Sequence, residues 1–269
     1  MAANKIYVTQ AGASLVFDVL QDGDGNQVGN STTASTVSGS ASNFNIDQVG
    51  NSNLLTFDID GDNFTGTFST TGNSNNIDFN CDSGSATSGC DNITASITFV
   101  GNSSDVDIDI GNVAAATGSA ITVTGASGTD GTVIAATIDG TSAVVTLTIA
   151  GDTNNYLIDI DGNGDVVGHS LLMTQTGITS DVDVVQSGLY DNSATITSTG
   201  DSQDIDINQT AGGSITLVTT GSTTLSPKTI NISQTGHATF VTAGDGLNGA
   251  GGSFDVTQTA SGGSISLDQ

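Results

Sequence analysis

The sequence predicts an all-β fold, a two-sided β-solenoid whose coils of about 22 residues each comprise two arcs of about eleven. Three observations predict it: the composition, the spacing of the glycines, and an apolar/polar alternation in the segments before them. The 269 residues contain no Glu, Arg or Trp, one Pro and 36 Gly. Strong helix formers other than Ala and Leu are almost absent, which excludes an ordinary helical domain. Gly, Ser, Thr, Asn and Asp separate short Ile/Val/Phe runs, the composition of many strands joined by tight turns.

The glycines set the period. Gly39, Gly50, Gly61 and Gly72 lie eleven apart, as do Gly140, Gly151 and Gly162, and Gly177 and Gly188. Alternating segments precede most of them: IYVTQAG (6–12), FNIDQVG (44–50), IDIDG (158–162), VDVVQSG (182–188), IDINQTAG (205–212) and INISQTG (230–236). Two arcs per coil give the flattened solenoid; grouping arcs by threes would give a three-sided helix. The rhythm breaks near 22–33, 82–92, 112–119, 163–170, 222–229 and 243–252, which predicts lateral loops on one continuous body spanning 1–269.

Strand parity assigns the faces. In FNIDQVG, Phe44, Ile46 and Gln48 share one parity, and the apolar pair belongs inside. Gln48 therefore points inward, and by the same argument so do Gln10, Gln186, Gln209 and Gln234. A lone buried amide costs about 1–3 kcal/mol. Stacked amides satisfy one another in a ladder. Asp58, Asp60, Asp105, Asp107 and Asp109 fall on the outward parity.

Only 35% of the residues are hydrophobic, thin for a globular core but enough for short strands that each bury one face. The formal net charge of −26 rests wholly on Asp. Such a surface repels nucleic acid and anionic membranes. No apolar stretch approaches the ~20 residues that span a bilayer. The segment MAANKIYVTQAG lacks the apolar centre of a secretory signal, so export by a cleaved leader is not expected. Cys81 and Cys90 flank DSGSATSG and are either a disulfide closing that loop or a pair of buried thiols.

SDVDVVQSGLYDNSA (180–194) holds Ser, five residues, Gln-x-Gly, a short turn and Asn-x-Ala; SNFNIDQVGNSN (42–53) repeats its first half. This pattern resembles the curlin repeat, the unit of bacterial curli fibres, over about half of the chain. The resemblance implies a two-sided solenoid with inward Ser, Gln and Asn ladders. Carried over, Ser42, Gln48, Asn53, Ser180, Gln186, Asn192 and Ala194 become ladder or core positions. Curlin-like repeats also occur in structural proteins of bacteriophages, marine ones especially, and the Asp-only surface resembles that branch.

Catalytic constellations are scarce. His169 and His237 sit beside glycine turns and read as surface or turn residues. The best metal candidate is Asp159, Asp161, Asn163 and Asp165, whose alternate oxygen ligands followed by Gly match the start of an EF-hand calcium loop; QDGDGNQ (21–27) and DIDGDN (58–63) are weaker relatives. Its closing Glu is missing, and an ordinary Asx turn is the competing reading. The expected function is a non-enzymatic fibre or appendage subunit of a virion, extracellular in location, aiding host adhesion. The expected partners are copies of itself, stacked end to end or side by side, other virion proteins, or a host-surface glycan. A secreted curli-like matrix filament and a calcium-dependent carbohydrate-binding module are the alternatives.

Overall fold

A computed structural model describes residues 4–29, 35–50, 52–72, 74–81, 90–101, 103–111, 116–125, 131–161, 168–188, 192–210, 212–220, 228–237, 240–244, 253–261 and 264–267. Numbered along the chain, sheet A contains β1 (Thr9–Ala11), β3 (Ser35–Ser38), β5 (Ser52–Asp60), β7 (Ser74–Cys81), β9 (Ser103–Ile110), β12 (Thr132–Thr141), β14 (Thr153–Asp161), β16 (Thr179–Ser187), β18 (Ser202–Gln209), β20 (Thr229–His237) and β22 (Ser253–Ser261), in that order. Sheet B contains β2 (Val16–Asp22), β4 (Asn43–Val49), β6 (Thr65–Thr71), β8 (Thr94–Val100), β11 (Ala120–Gly125), β13 (Val144–Ala150), β15 (Ser170–Thr176), β17 (Asn192–Thr199), β19 (Gly213–Thr220), β21 (Phe240–Gly244) and β23 (Ser264–Leu267). A short strand, β10 (Ala116–Thr117), also pairs with β12.

The chain is thus an all-β parallel solenoid. Successive arcs alternate between two sheets, which selects the two-sided closure over the three-sided one. Ser52 pairs with Ser74, and Thr132 with Asn154, each 22 residues on, the predicted coil. Longer coils keep the register and place the surplus outside it: Ser74 pairs with Ser103, and Thr153 with Thr179. Eleven rungs at about 4.8 Å give a body about 50 Å long.

The core lies between the sheets, where the inward parity of each rung meets that of the opposite one. Leu55, Phe57 and Ile59 on β5 are fully buried, as are Val106, Ile108 and Ile110 on β9. Each such side chain stabilises the fold by about 1.5–3 kcal/mol. Toward the N-terminal end the core is aromatic: Phe44 lies 5.1 Å from Phe17, 5.5 Å from Phe57 and 5.3 Å from Phe64, ring centre to ring centre. Later rungs use Ile, Val and Leu, with Tyr156 and Met173 among them.

Glycines carry the chain between the sheets because coils touch backbone to backbone there. A Cβ on Gly50 would lie 1.7 Å from the Gly23 carbonyl oxygen and 2.2 Å from Asn26 Oδ1. Gly39, with φ at +132°, meets the Gly12 carbonyl in the same way.

Several predicted loops are shorter than expected, because their margins take part in the stack. Within 22–33, Val28 is fully buried and bridges both Ile6 and Leu55. Within 112–119, Ala116–Thr117 forms β10; Ser170 and Thr229, at the ends of two others, open strands. The remainder of these loops, at 30–33, 82–89, 112–115, 163–167, 222–227 and 245–252, lies outside the described residues. Cys81 and Cys90 form a disulfide, which settles that alternative; both residues are buried, and the bond closes the base of the 82–89 insertion.

Candidate functional site

The functional candidates are columns of polar side chains that run through the stack. On sheet A one inward column passes from Gln186 to Gln209, Gln234 and Gln258. Gln209 Nε2 donates to Gln186 Oε1 (3.0 Å), Gln234 Nε2 to Gln209 Oε1 (2.6 Å) and Gln258 Nε2 to Gln234 Oε1 (3.1 Å). Secondary bonds tie the amides across to the other sheet: Gln209 Nε2 also donates to the Ser214 carbonyl (3.4 Å) and Gln234 Nε2 to that of Gly213 (3.2 Å). Gln186, Gln209 and Gln234 are completely buried. The parity argument therefore places all three correctly.

The same column changes character towards the N-terminus. It runs through Ile160, Ile138, Ile110, Cys81, Ile59 and Val37 to Gln10. Gln10 therefore stands opposite Val37 and joins no amide ladder. It is half-buried and, among the described residues, donates to the carbonyl of Ala11 alone, at 3.4 Å. The parity was right and the stacking partner was not amide.

A second Gln pair lies on sheet B. Gln48 Nε2 donates to Gln21 Oε1 at 2.7 Å. Farther along, Ser198 Oγ donates to Gln175 Oε1 at 2.7 Å. Gln21 and Gln175 extend the predicted ladder set; both stand in Q-x-G, as Gln48, Gln186 and Gln234 do.

The turn entering sheet A carries a third column. Asn53 Nδ2 donates to Asn26 Oδ1 (3.1 Å) and Asn75 Nδ2 to Ser104 Oγ (3.3 Å). Thr132, Asn154, Ser180 and Gln203 continue it, all buried. Asn26 also donates to the carbonyls of Gln21 (3.0 Å) and Val49 (3.1 Å), pinning its turn to the next coil. Ser42 and Ser180 are buried as expected, but their hydroxyls bond to no neighbour among the described residues. The opposite turn is closed by Asn192, whose Oδ1 accepts from the His169 backbone N–H (3.1 Å) and whose Nδ2 donates to the Thr210 carbonyl (3.2 Å). Ala194 is a core residue.

His169 is not the surface residue that its glycine neighbour suggests. It is 1% exposed, and its Nδ1 accepts from the Ala143 backbone N–H at 3.2 Å. Burial lowers its pKa, against a smaller upward pull from Asp161. A neutral ring with its proton on Nε2 fits that acceptor role. The side chain of His237 lies outside the described residues.

The outer face of sheet A is acidic. Asp78 stacks on Asp107, and Asp183 on Asp206. Asp78 and Asp107 have raised pKa values, first through partial burial and then through neighbouring carboxylates. Of the calcium candidates, Asp159 and Asp161 lie on this face at the end of β14. Asp159 is raised by burial and by Asp161, and the Ser187 hydroxyl donates to Asp161. Asn163 and Asp165 lie outside the described residues, and no group of three or more metal-ligating side chains is assembled among the described ones. A shallow trough of about 500 Å³ crosses the face farther along, lined by Leu157, Asp183, Asp206, Asn231 and Asp255 among others.

No protein-family model, curated protein or solved structure matches the chain.

Proposed function

We propose that the chain is a non-enzymatic structural subunit of a fibre or appendage, of the kind carried by a virion, that holds an adhesive surface away from the particle. The observation that carries this reading is the common polarity of the glutamine ladders. In Gln48–Gln21, Gln209–Gln186, Gln234–Gln209 and Gln258–Gln234 the later rung donates to the earlier one. In each pair the amide on one coil is satisfied by the coil stacked on it. Edge strand β2 carries Phe17 and Val19 half-buried at the end of the core, and Val16 and Leu20 largely exposed. A neighbouring coil laid on that edge would pair its backbone and cover Phe17 and Val19. The resemblance to curlin repeats supports the same role and fits a secreted matrix filament as well.

A host-surface glycan would bind in the trough on sheet A. Asp183, Asp206, Asn231 and Asp255 offer acceptors and donors to sugar hydroxyls, and Leu157 an apolar floor. Sedimentation across a concentration series, followed by electron microscopy, tests the assembly. The expected result is end-to-end rods, which Phe17→Asp at the β2 edge suppresses. A sharply monomeric species at every concentration would overturn the proposal. Immunogold labelling of particles against cell-surface matrix separates a virion from a matrix filament.

A further inference from the structure

The two solvent faces of the solenoid differ in a way that strand formation does not explain. Sheet A turns Asp105, Asp107 and Asp109 outward on a single rung. Sheet B, over the seven rungs from β6 to β19, turns no charged side chain outward among the described residues. Threonine and serine fill most of those positions. Both sheets are parallel and wet on one side, so the strand preference of threonine acts on both alike. Charges spread over a surface keep it from associating. Seven consecutive rungs without one mark a surface suited to a neutral partner.

The hydroxyls are ordered in two dimensions. Thr67, Ser96, Thr122, Thr146, Thr195 and Thr216 stack in one file, interrupted at Leu172. Ser69, Thr98, Thr124, Thr148, Thr174 and Thr197 stack in a second, two residues farther along each strand. Each file repeats at the strand separation of about 4.8 Å, and the files lie about 6.6 Å apart. A β-branched side chain is stiff at χ1, so methyl and hydroxyl recur in place from rung to rung.

We propose that this face binds ice. Its two repeats lie close to those of the oxygen lattice of hexagonal ice, which is neutral, extended and periodic in both directions. The threonine hydroxyls would take up positions in the first water layer while the methyl groups rest against its cages. No aromatic side chain projects from these seven rungs among the described residues. The acidic outer face of sheet A, strongly hydrated, would stay in the liquid. One side of the rod thus suits the crystal and the other the solution.

The test uses the intact protein and ice itself as the probe. Slow freezing of a dilute solution partitions the protein between ice and liquid, and microscopy at the same time follows crystal shape. The expected result is enrichment in the ice fraction with faceted crystals. Thr148→Tyr, at the centre of the face, abolishes both while circular dichroism shows an intact fold. Asp107→Asn with Asp206→Asn, on the opposite face, leaves both in place. A folded protein that stays in the liquid and leaves crystal growth unaltered overturns the proposal. So does equal behaviour of the Thr148 and Asp variants. A dimer lost in Thr148→Tyr, without ice partition, also overturns it and assigns the face to a second copy.

Discussion

Gln209 Nε2 donates to Gln186 Oε1 across 3.0 Å in a site closed to water. Replacing Gln209 by Leu leaves that acceptor without its donor and removes the acceptor of Gln234 Nε2. Each stranded group costs about 1–3 kcal/mol, so Gln209→Leu is expected to lower the melting temperature clearly. Changing Gln186, Gln209, Gln234 and Gln258 together to Ile is expected to cost less than the single change. The chain already builds this column from Val37, Ile59, Ile110, Ile138 and Ile160 in earlier rungs. A quadruple variant weaker than the single one would show that the amides, not continuity of the column, hold these rungs.

Gly50→Ala is expected to destabilise by about 1–3 kcal/mol, the usual cost of forcing extra atoms into a packed site. The obstacle is backbone: the Gly23 carbonyl cannot rotate away as a side chain could. Gly131 has a left-handed φ of +65° but open space around it. Gly131→Asn is therefore expected to be nearly neutral, since Asn tolerates that region. Thermal unfolding of the two variants beside the parent decides whether close approach or backbone strain sets the glycine requirement.

Tyr156 is fully buried, and its hydroxyl has no hydrogen-bond partner among the described residues. Desolvation drives its pKa upward. Tyr156→Phe removes the stranded hydroxyl and keeps the ring, so a gain of about 1 kcal/mol is expected. A loss of stability on denaturant unfolding would mean that the phenol has a partner after all.

Acid should act on this fold in two opposite ways. His169 has a lowered pKa through burial. Below about 6.5 the unfolded imidazole takes a proton that the folded one refuses, so stability falls as pH drops through that value. Asp58, Asp78, Asp107, Asp139, Asp159, Asp183 and Asp204 are shifted upward, chiefly by desolvation. Their folded forms bind protons before the unfolded ones do, so stability rises as pH falls through the raised values towards 3.8. The melting temperature should dip below pH ~6.5 and then recover. His169→Gln should remove the dip, and Asp107→Asn should stabilise at neutral pH only. A profile unchanged by both variants would contradict the assignment.

Parity along single segments was enough to orient Gln48, Gln186, Gln209 and Gln234, because apolar neighbours two residues away fix the inward side. It could not say what each would stack on. That depends on coil length, and the loops vary it; hence Gln10 meets Val37 rather than an amide. Asn26 was hidden for a related reason: QDGDGN reads as a loop, yet Asn26 is bonded on three sides. His169 was misplaced because a glycine neighbour signals a turn, and solenoid turns can themselves be buried between coils. The uncharged face of sheet B needed knowledge of which arcs share a sheet, which no single arc contains.

Among the described residues the register takes up surplus residues between rungs and not within them. Duplicating or deleting one 22-residue coil, such as that from Ser52 to Ser74, would therefore change the length by a single strand spacing and leave every other rung where it was. Evolution could adjust such a molecule as a ruler, one graduation at a time, setting how far its tip stands from its base without redesigning either.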